Sequence, residues 1–359
     1  MANNRIFYAS QAVALKPQNA DGTVQYENWY FPRGVQSVGI STNFGLEQVF
    51  QLGQIDLYEN IEDVPEVEVT LNKVIDGTPP LYLLCMGGSS GISGSNGKEL
   101  VNLANNRVNF RLGVWSDTLS AATGSPVKYV DCSGMYLSSV SYTIPVDGNA
   151  TEDVTLVGNN KYWNKTYVDS AMASAFSAGT NGDAGTMTAP AIARRYKYNK
   201  DESAVPTGIG GDRLQSVTIS TDLGREAINE LGAMAPYFRY VNFPVEVTSE
   251  FEIVGTSGDL VEAEDFTRLS SNCNTQYTNL RPETVNIIIC GSGSSDKLGI
   301  DLGNKNKLTS VNYTGGDTGG GNATTTYSYQ TFNKLTVTGS GTFISAAWVD
   351  VVNDSIIGD

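Results

Sequence analysis

Thirty-eight carboxylates and no histidine set the chemistry this sequence can offer. Histidine is the commonest general base and metal ligand near neutral pH, so Ser/His/Asp and Cys/His nucleophile systems are excluded. Plentiful carboxylates leave a paired-carboxylate route to acid–base catalysis open, as in glycoside hydrolysis. No spacing singles out two Asp or Glu for that role, and no pair recurs along the chain. Cys85, Cys132, Cys273 and Cys290 show no C-x-x-C spacing, which argues against zinc and dithiol redox motifs and for buried, reduced thiols. The stretch GISGSNGK at 91–98 fails as a phosphate loop, because Ile92 stands where glycine is required and Glu99 follows the lysine. The glycine-rich 315–322 stretch contains no lysine. The N-x-T triplets at Asn149, Asn164, Asn312 and Asn322 carry no meaning without a secretory route. The sequence therefore predicts no catalytic residue, no metal and no cofactor.

What the carboxylates do instead is alternate. In 66–75 (EVEVTLNKVI), Val67, Val69, Leu71 and Ile75 share one face, and Glu66, Glu68, Thr70 and Asn72 share the other. In 245–253 (VEVTSEFEI), Val245, Val247, Phe251 and Ile253 face one way, and Glu246, Thr248, Glu250 and Glu252 the other. Matching the two V-E-V-T segments places Glu68 on Glu246. Such an acidic face is either an outer surface or the wall of a water-filled channel. With a net charge of −15, the chain is a poor grip for nucleic acid, since phosphate binding relies on Lys and Arg. Like charge on a channel wall would instead let a polyanion pass without sticking.

These strands sit in a sequence that repeats itself. Residues 35–53 (VQSVGISTNFGLEQVFQLG) and 214–232 (LQSVTISTDLGREAINELG) are identical at ten of nineteen positions. SSVSYT at 138–143 answers TSVNYT at 309–314, and GNAT recurs at 148–151 and 321–324. The echoes keep their order, which predicts two tandem copies: 1–165 and 206–359, joined by a linker at 166–205. Each is long enough for its own core.

Strand patterns dominate. Further strands are expected at 5–15, 35–42, 109–115, 135–145, 152–157, 284–290, 308–313, 325–329, 334–338 and 342–352. Short helices are expected at 98–105, 168–178 and 262–271. Residues 225–231 look helical by propensity, whereas their match at 46–52 looks like a strand. The linker, with its basic run RRYKYNK at 194–200, reads as a solvated connection or as a contact to an acidic neighbour. Segments 43–64 and 222–243 are long and carry apolar groups: Phe50, Leu52, Ile55, Leu57 and Tyr58 in one, Met234, Tyr237, Phe238 and Tyr240 in the other. Either they contact another protein or they fold back over their own core. The N-terminus lacks a signal-peptide core and no apolar run approaches a membrane span, so a soluble chain made in a reducing cytoplasm is expected.

Residues 35–77, with 139–160 as closing strands, resemble bacteriophage major tail tube proteins carrying a duplicated tube domain. The resemblance implies a mainly β fold of two tandem β-sandwich or open-barrel domains, each with a short flanking helix. It implies self-association into stacked rings, trimeric and pseudo-hexameric, around a lumen through which DNA leaves without specific binding. The long loops would then be ring-stacking contacts, and Glu66, Glu68, Glu246, Glu250 and Glu252 would face the lumen. The partners it implies are further copies of the chain and other tail proteins (tape measure, tail terminator, distal tail, sheath) in a virion assembled in the host bacterial cytoplasm. Rival readings are another phage ring component, a contractile injection tube, or a tandem β-sandwich module for carbohydrate. The last would need an aromatic platform, and Trp29, Trp115, Trp163 and Trp348 do not recur between the copies.

Overall fold

A computed structural model describes residues 6–22, 29–87, 97–115, 126–164, 192–207, 209, 213–255, 258, 261, 281–293, 295–316, 321–344 and 348–349. The fold is mainly β. In the N-terminal half the strands are β1 (Gln11–Gln18), β2 (Trp29–Tyr30), β3 (Val35–Asn43), β4 (Leu46–Phe50), β5 (Leu57–Glu62), β6 (Glu66–Val74), β7 (Lys98–Glu99), β8 (Arg107–Val114), β9 (Lys128–Pro145), β10 (Thr151–Gly158) and β11 (Tyr162–Asn164). The C-terminal half contains β12 (Leu214–Asp222), β13 (Arg225–Ile228), β14 (Phe238–Val241), β15 (Glu246–Val254), β16 (Glu283–Cys290), β17 (Lys297–Thr314), β18 (Thr324–Phe332), β19 (Thr336–Gly339) and β20 (Trp348–Val349). Two short helices, α1 (Leu81–Met86) and α2 (Leu100–Leu103), interrupt the first half.

Every described pairing is antiparallel, and the halves share a pairing order. In the first, β3 pairs β6, β6 pairs β10, β10 pairs β9, and β9 pairs β8 and β11. In the second, β12 pairs β15, β15 pairs β18, β18 pairs β17, and β17 pairs β16 and β19. Two irregularities also match. The ladder skips Gln36 in β3 and Gln215 in β12, and it skips Ser138 in β9 and Thr309 in β17. Bulges are built features that bend a strand. Around Ser138 the long β9 passes from pairing with β8 to pairing with β10.

The halves are joined edge to edge. Residues 139–145 of β9 pair with 216–222 of β12, and the Leu223 N–H donates to the Ser138 carbonyl at 2.8 Å. A second join runs through β7, which pairs β19, with Lys334 2.9 Å from Glu99. One continuous apolar core extends through both halves, from Val69, Leu71 and Phe110 to Val217, Phe251 and Ile300.

The structure corrects several expectations. Residues 225–228 form a strand, not a helix, so the two repeated segments agree. The expected helix at 98–105 shrinks to α2, preceded by β7. The α1 helix was not foreseen. It begins after Pro79–Pro80, and its first N–H groups, on Leu81 and Tyr82, donate to the buried Glu152 carboxylate at 2.5 and 2.9 Å. Helix starts leave such donors unsatisfied unless a side chain meets them. Over 192–207 the linker is anchored to the body at several points, although many of its residues there are exposed. Asn199 and Ala204 donate to the carbonyls of Ile288 and Asn286 on β16, and the buried Ala193 bridges Ile75 and Ala150 by backbone hydrogen bonds. This segment meets β16 at two isolated bridges, whereas β1 pairs β8 along its full length. Of its basic run, Lys197 donates to the Gly291 carbonyl and Arg195 lies 3.7 Å from Asp147. Within the expected final strand, Gly341–Ile344 is a 3₁₀ turn, and Trp348–Val349 pairs with β2. The helices expected at 168–178 and 262–271 fall outside the described residues.

Candidate functional site: a polar face shared by both halves

Alternation in a strand sends neighbouring side chains to opposite faces, and directly paired residues share a face. Following register partners across the ladder therefore assigns a whole face. One row reads Ser37, Asn72, Asp153, Ser141, Ser220, Thr248, Gln330 and Lys307, crossing β3, β6, β10, β9, β12, β15, β18 and β17. A second reads Thr151, Thr143, Thr218, Glu250, Ser328 and Ser310. A third reads Gly39, Thr70, Thr155, Ser139 and Asp222. Rows on the other face are mostly apolar, such as Ile144, Val217, Phe251, Tyr327 and Val311, although one of them includes the buried Lys73 and Glu152. Eight strands thus present one largely polar surface of hydroxyls, amides and carboxylates, interrupted by Val74 beside Thr151, Val157 beside Glu68 and Phe332 beside Glu246.

Its charge is one-sided. On the eight-strand ladder this face carries Glu66, Glu68, Asp153, Asp222, Glu246, Glu250 and Glu252 against Lys307, and Arg239 of β14 ion-pairs Glu66. Short hydrogen bonds fix part of it. Asn72 donates to Asp153 at 2.6 Å, Ser216 to Glu252 at 3.0 Å, and the Ser220 and Thr248 hydroxyls lie 2.8 Å apart. A cavity of about 580 Å³ opens over β9, β12 and β15, lined by Ser139, Ser141, Ser220, Asp222, Glu246 and Thr248 among others.

All five glutamates singled out from sequence lie on this face. Glu68, Glu246 and Glu250 are exposed, and Glu252 is half-buried against Ser216. Glu66 is ion-paired with Arg239 at 2.9 Å. Thr42 pairs Val67 while Thr221 pairs Val247, which corrects the match of Glu68 to Glu246: by register Glu246 answers Glu66, and Thr248 answers Glu68. The two acidic strands stand four ladder steps apart, roughly 19 Å. Hydroxyl residues of β10, β9 and β12 fill the interval. Sequence reasoning passed over them, although the alternation in SSVSYT and LQSVTIST carried the signal.

The apolar loop residues fall on two hairpins with different surroundings. In the β4–β5 hairpin Phe50, Leu52, Ile55, Leu57 and Tyr58 are all exposed, Leu52 and Ile55 almost completely. In the β13–β14 hairpin Met234, Tyr237 and Tyr240 are exposed, but Phe238 packs edge-on against Tyr136 at 5.4 Å. That hairpin leaves the sheet at Gly224, whose φ of +51° suits glycine and whose N–H is received by Asp222. It then lies across one end of the N-terminal half. Arg225 donates to the carbonyls of Leu137, Ala104 and Arg239, and its guanidinium stacks on Tyr136. Burial lowers the Arg225 pKa to about 10, so it stays charged at neutral pH. Arg107 stacks on both Tyr136 and Phe238. None of these arginines stood out in the sequence, because their partners are remote in the chain.

Compared with family models and with curated proteins, the sequence matches none.

Proposed function

We propose that the chain is a structural subunit of a phage tail tube, whose copies form trimeric, pseudo-hexameric rings that stack around a channel for DNA. One observation carries the reading: a hydroxyl-rich, acidic face extends across eight strands of both halves. Turned inward, such a wall is wettable, and its carboxylates repel a phosphate backbone while offering few cations to hold it. The exposed β4–β5 hairpin supports a further contact outside the chain, as its apolar tip has no cover among the described residues. The carbohydrate-module alternative is weakened by the burial of Trp29 and Trp115, which removes two of the four tryptophans from any surface platform. Negative-stain microscopy of the purified chain tests the proposal. Hollow rings or stacked tubes are expected; a monomer persisting at high concentration would reject it.

A further inference from the structure

The join between the halves specifies a second join. Within the chain, β12 adds its free edge to residues 139–145 of β9. Matching pairings and matching bulges make β3 the counterpart of β12, and make the end of β17 the counterpart of the end of β9. Among the described residues, β3 pairs only with β6, and residues 307–314 of β17 pair only with β18. Each half therefore lacks what the other supplies inside the chain.

Burial registers the vacancy. Val217 and Ile219 on β12 are buried, whereas Val38 and Ile40 at the matching places are only half-buried. Tyr142 on β9 is fully buried, while its counterpart Tyr313 is 51% exposed. Neither edge is defended. Natural free edges carry charges, prolines or other protection against pairing. The sequences of β3 (VQSVGISTN) and of 309–314 (TSVNYT) contain no charged residue and no proline. The bulges they do carry are shared with β12 and β9, where pairing proceeds regardless.

We propose that β3 of one chain adds to the end of β17 of a second copy, in the register that β12 takes on β9. The intramolecular pairs Ser220–Ser141, Ile219–Tyr142 and Thr221–Val140 then translate into Ser41–Asn312, Ile40–Tyr313 and Thr42–Val311 between chains. The Leu223-to-Ser138 backbone bond becomes one from Phe44 N–H to the Thr309 carbonyl. Such a head-to-tail contact closes a ring when its rotation allows. The polar face continues across the seam, because Ser41 and Asn312 both belong to it. This deepens the ring reading and rests on it only for closure.

Cross-linking tests the register. Ser41→Cys and Asn312→Cys proteins are purified separately, mixed, allowed to assemble and oxidised, with the unsubstituted chain setting the background of its four native cysteines. A disulfide-linked dimer is expected in the mixture and in neither protein alone. Both positions are solvent-accessible, and melting of the reduced variants checks that each still folds. Ser310→Cys replaces Asn312→Cys as a control slipped by two residues. Rings seen by microscopy with no bond, or with a bond only to the slipped control, would overturn this register and leave the ring reading standing. A chain that stays monomeric in sedimentation would overturn both. Slowed amide exchange at 39–43 and 310–314 on assembly is the independent expectation.

Discussion

The two halves share a ladder but solve its interior differently. In the N-terminal half, Lys73 and Glu152 sit opposite each other on β6 and β10, both buried. Lys73 is 2.7 Å from Asp76, and Glu152 holds the start of α1 and receives the Tyr142 hydroxyl at 2.9 Å. At the same register position the C-terminal half has Ile253 opposite Thr325. Its strands are joined to β9 on one edge, while β3 has an edge left over. The same backbone plan thus accepts either a buried ionic network or plain packing. What distinguishes the halves energetically is which side chains fill the plan and which edges already have a neighbour.

Breaking the ionic network is expected to have the largest effect. Asp76→Asn removes the carboxylate 2.7 Å from the buried Lys73 and should cost about 3–5 kcal/mol in denaturant unfolding. It should also flatten the acid limb of the stability curve. Burial opposes ionisation of Asp76, but the Lys73 charge and hydrogen bonds from Lys73 and Thr78 outweigh it and hold the pKa below 3.8. A depressed carboxyl contributes stability above its unfolded pKa, and that contribution is lost as pH falls through the folded value. Glu152 works the other way. Burial raises its pKa above 4.5, against hydrogen bonds from Tyr82 and Leu81 and the Lys73 charge, so its contribution is fully present below that value and is lost as pH rises through the raised one. Unfolding measured from pH 2 upward would separate the two limbs.

A matched pair of core truncations comes next. Ile219→Ala, at the completed seam, should cost about 2–5 kcal/mol. Ile40→Ala, at the open edge, should cost less in the isolated chain and approach the same loss once assembled. Equal losses in the monomer would show that β3 already has a neighbour and would dissolve the contrast. Smallest is the hairpin test. Arg225→Ala removes donors from buried carbonyls and should cost about 1–3 kcal/mol, with faster proteolytic cleavage of 225–241. Leu46→Ala, at the matching place on the exposed hairpin, should stay within about 0.5 kcal/mol and leave cleavage unchanged.

The alternating strands were legible because a half-buried sheet writes its two faces directly into the sequence. Residues 66–75 and 152–157 announced β6 and β10 closely. Residues 225–231 misled because Arg, Glu and Ala favour helix locally, while docking on Tyr136, Leu137 and Ala104 decides for strand. The six residues of α1 form a short apolar run whose type periodicity cannot settle, and the carboxylate that anchors it arrives some seventy residues later. The segment 192–207 pairs by isolated bridges and side-chain caps, which leave no alternation to read. The acidic face was half visible: glutamates advertised it, but only the register joined them to the serines and threonines between, and moved Glu246 into line with Glu66.

Because β9 and β12 belong to one polypeptide, their seam forms at an effective concentration set by the tether and does not respond to dilution. Any larger object built from this chain would therefore have every second joint made before two molecules ever meet. Nucleation then needs fewer collisions than for a single-copy subunit, and disassembly at low concentration should stop at the intact chain.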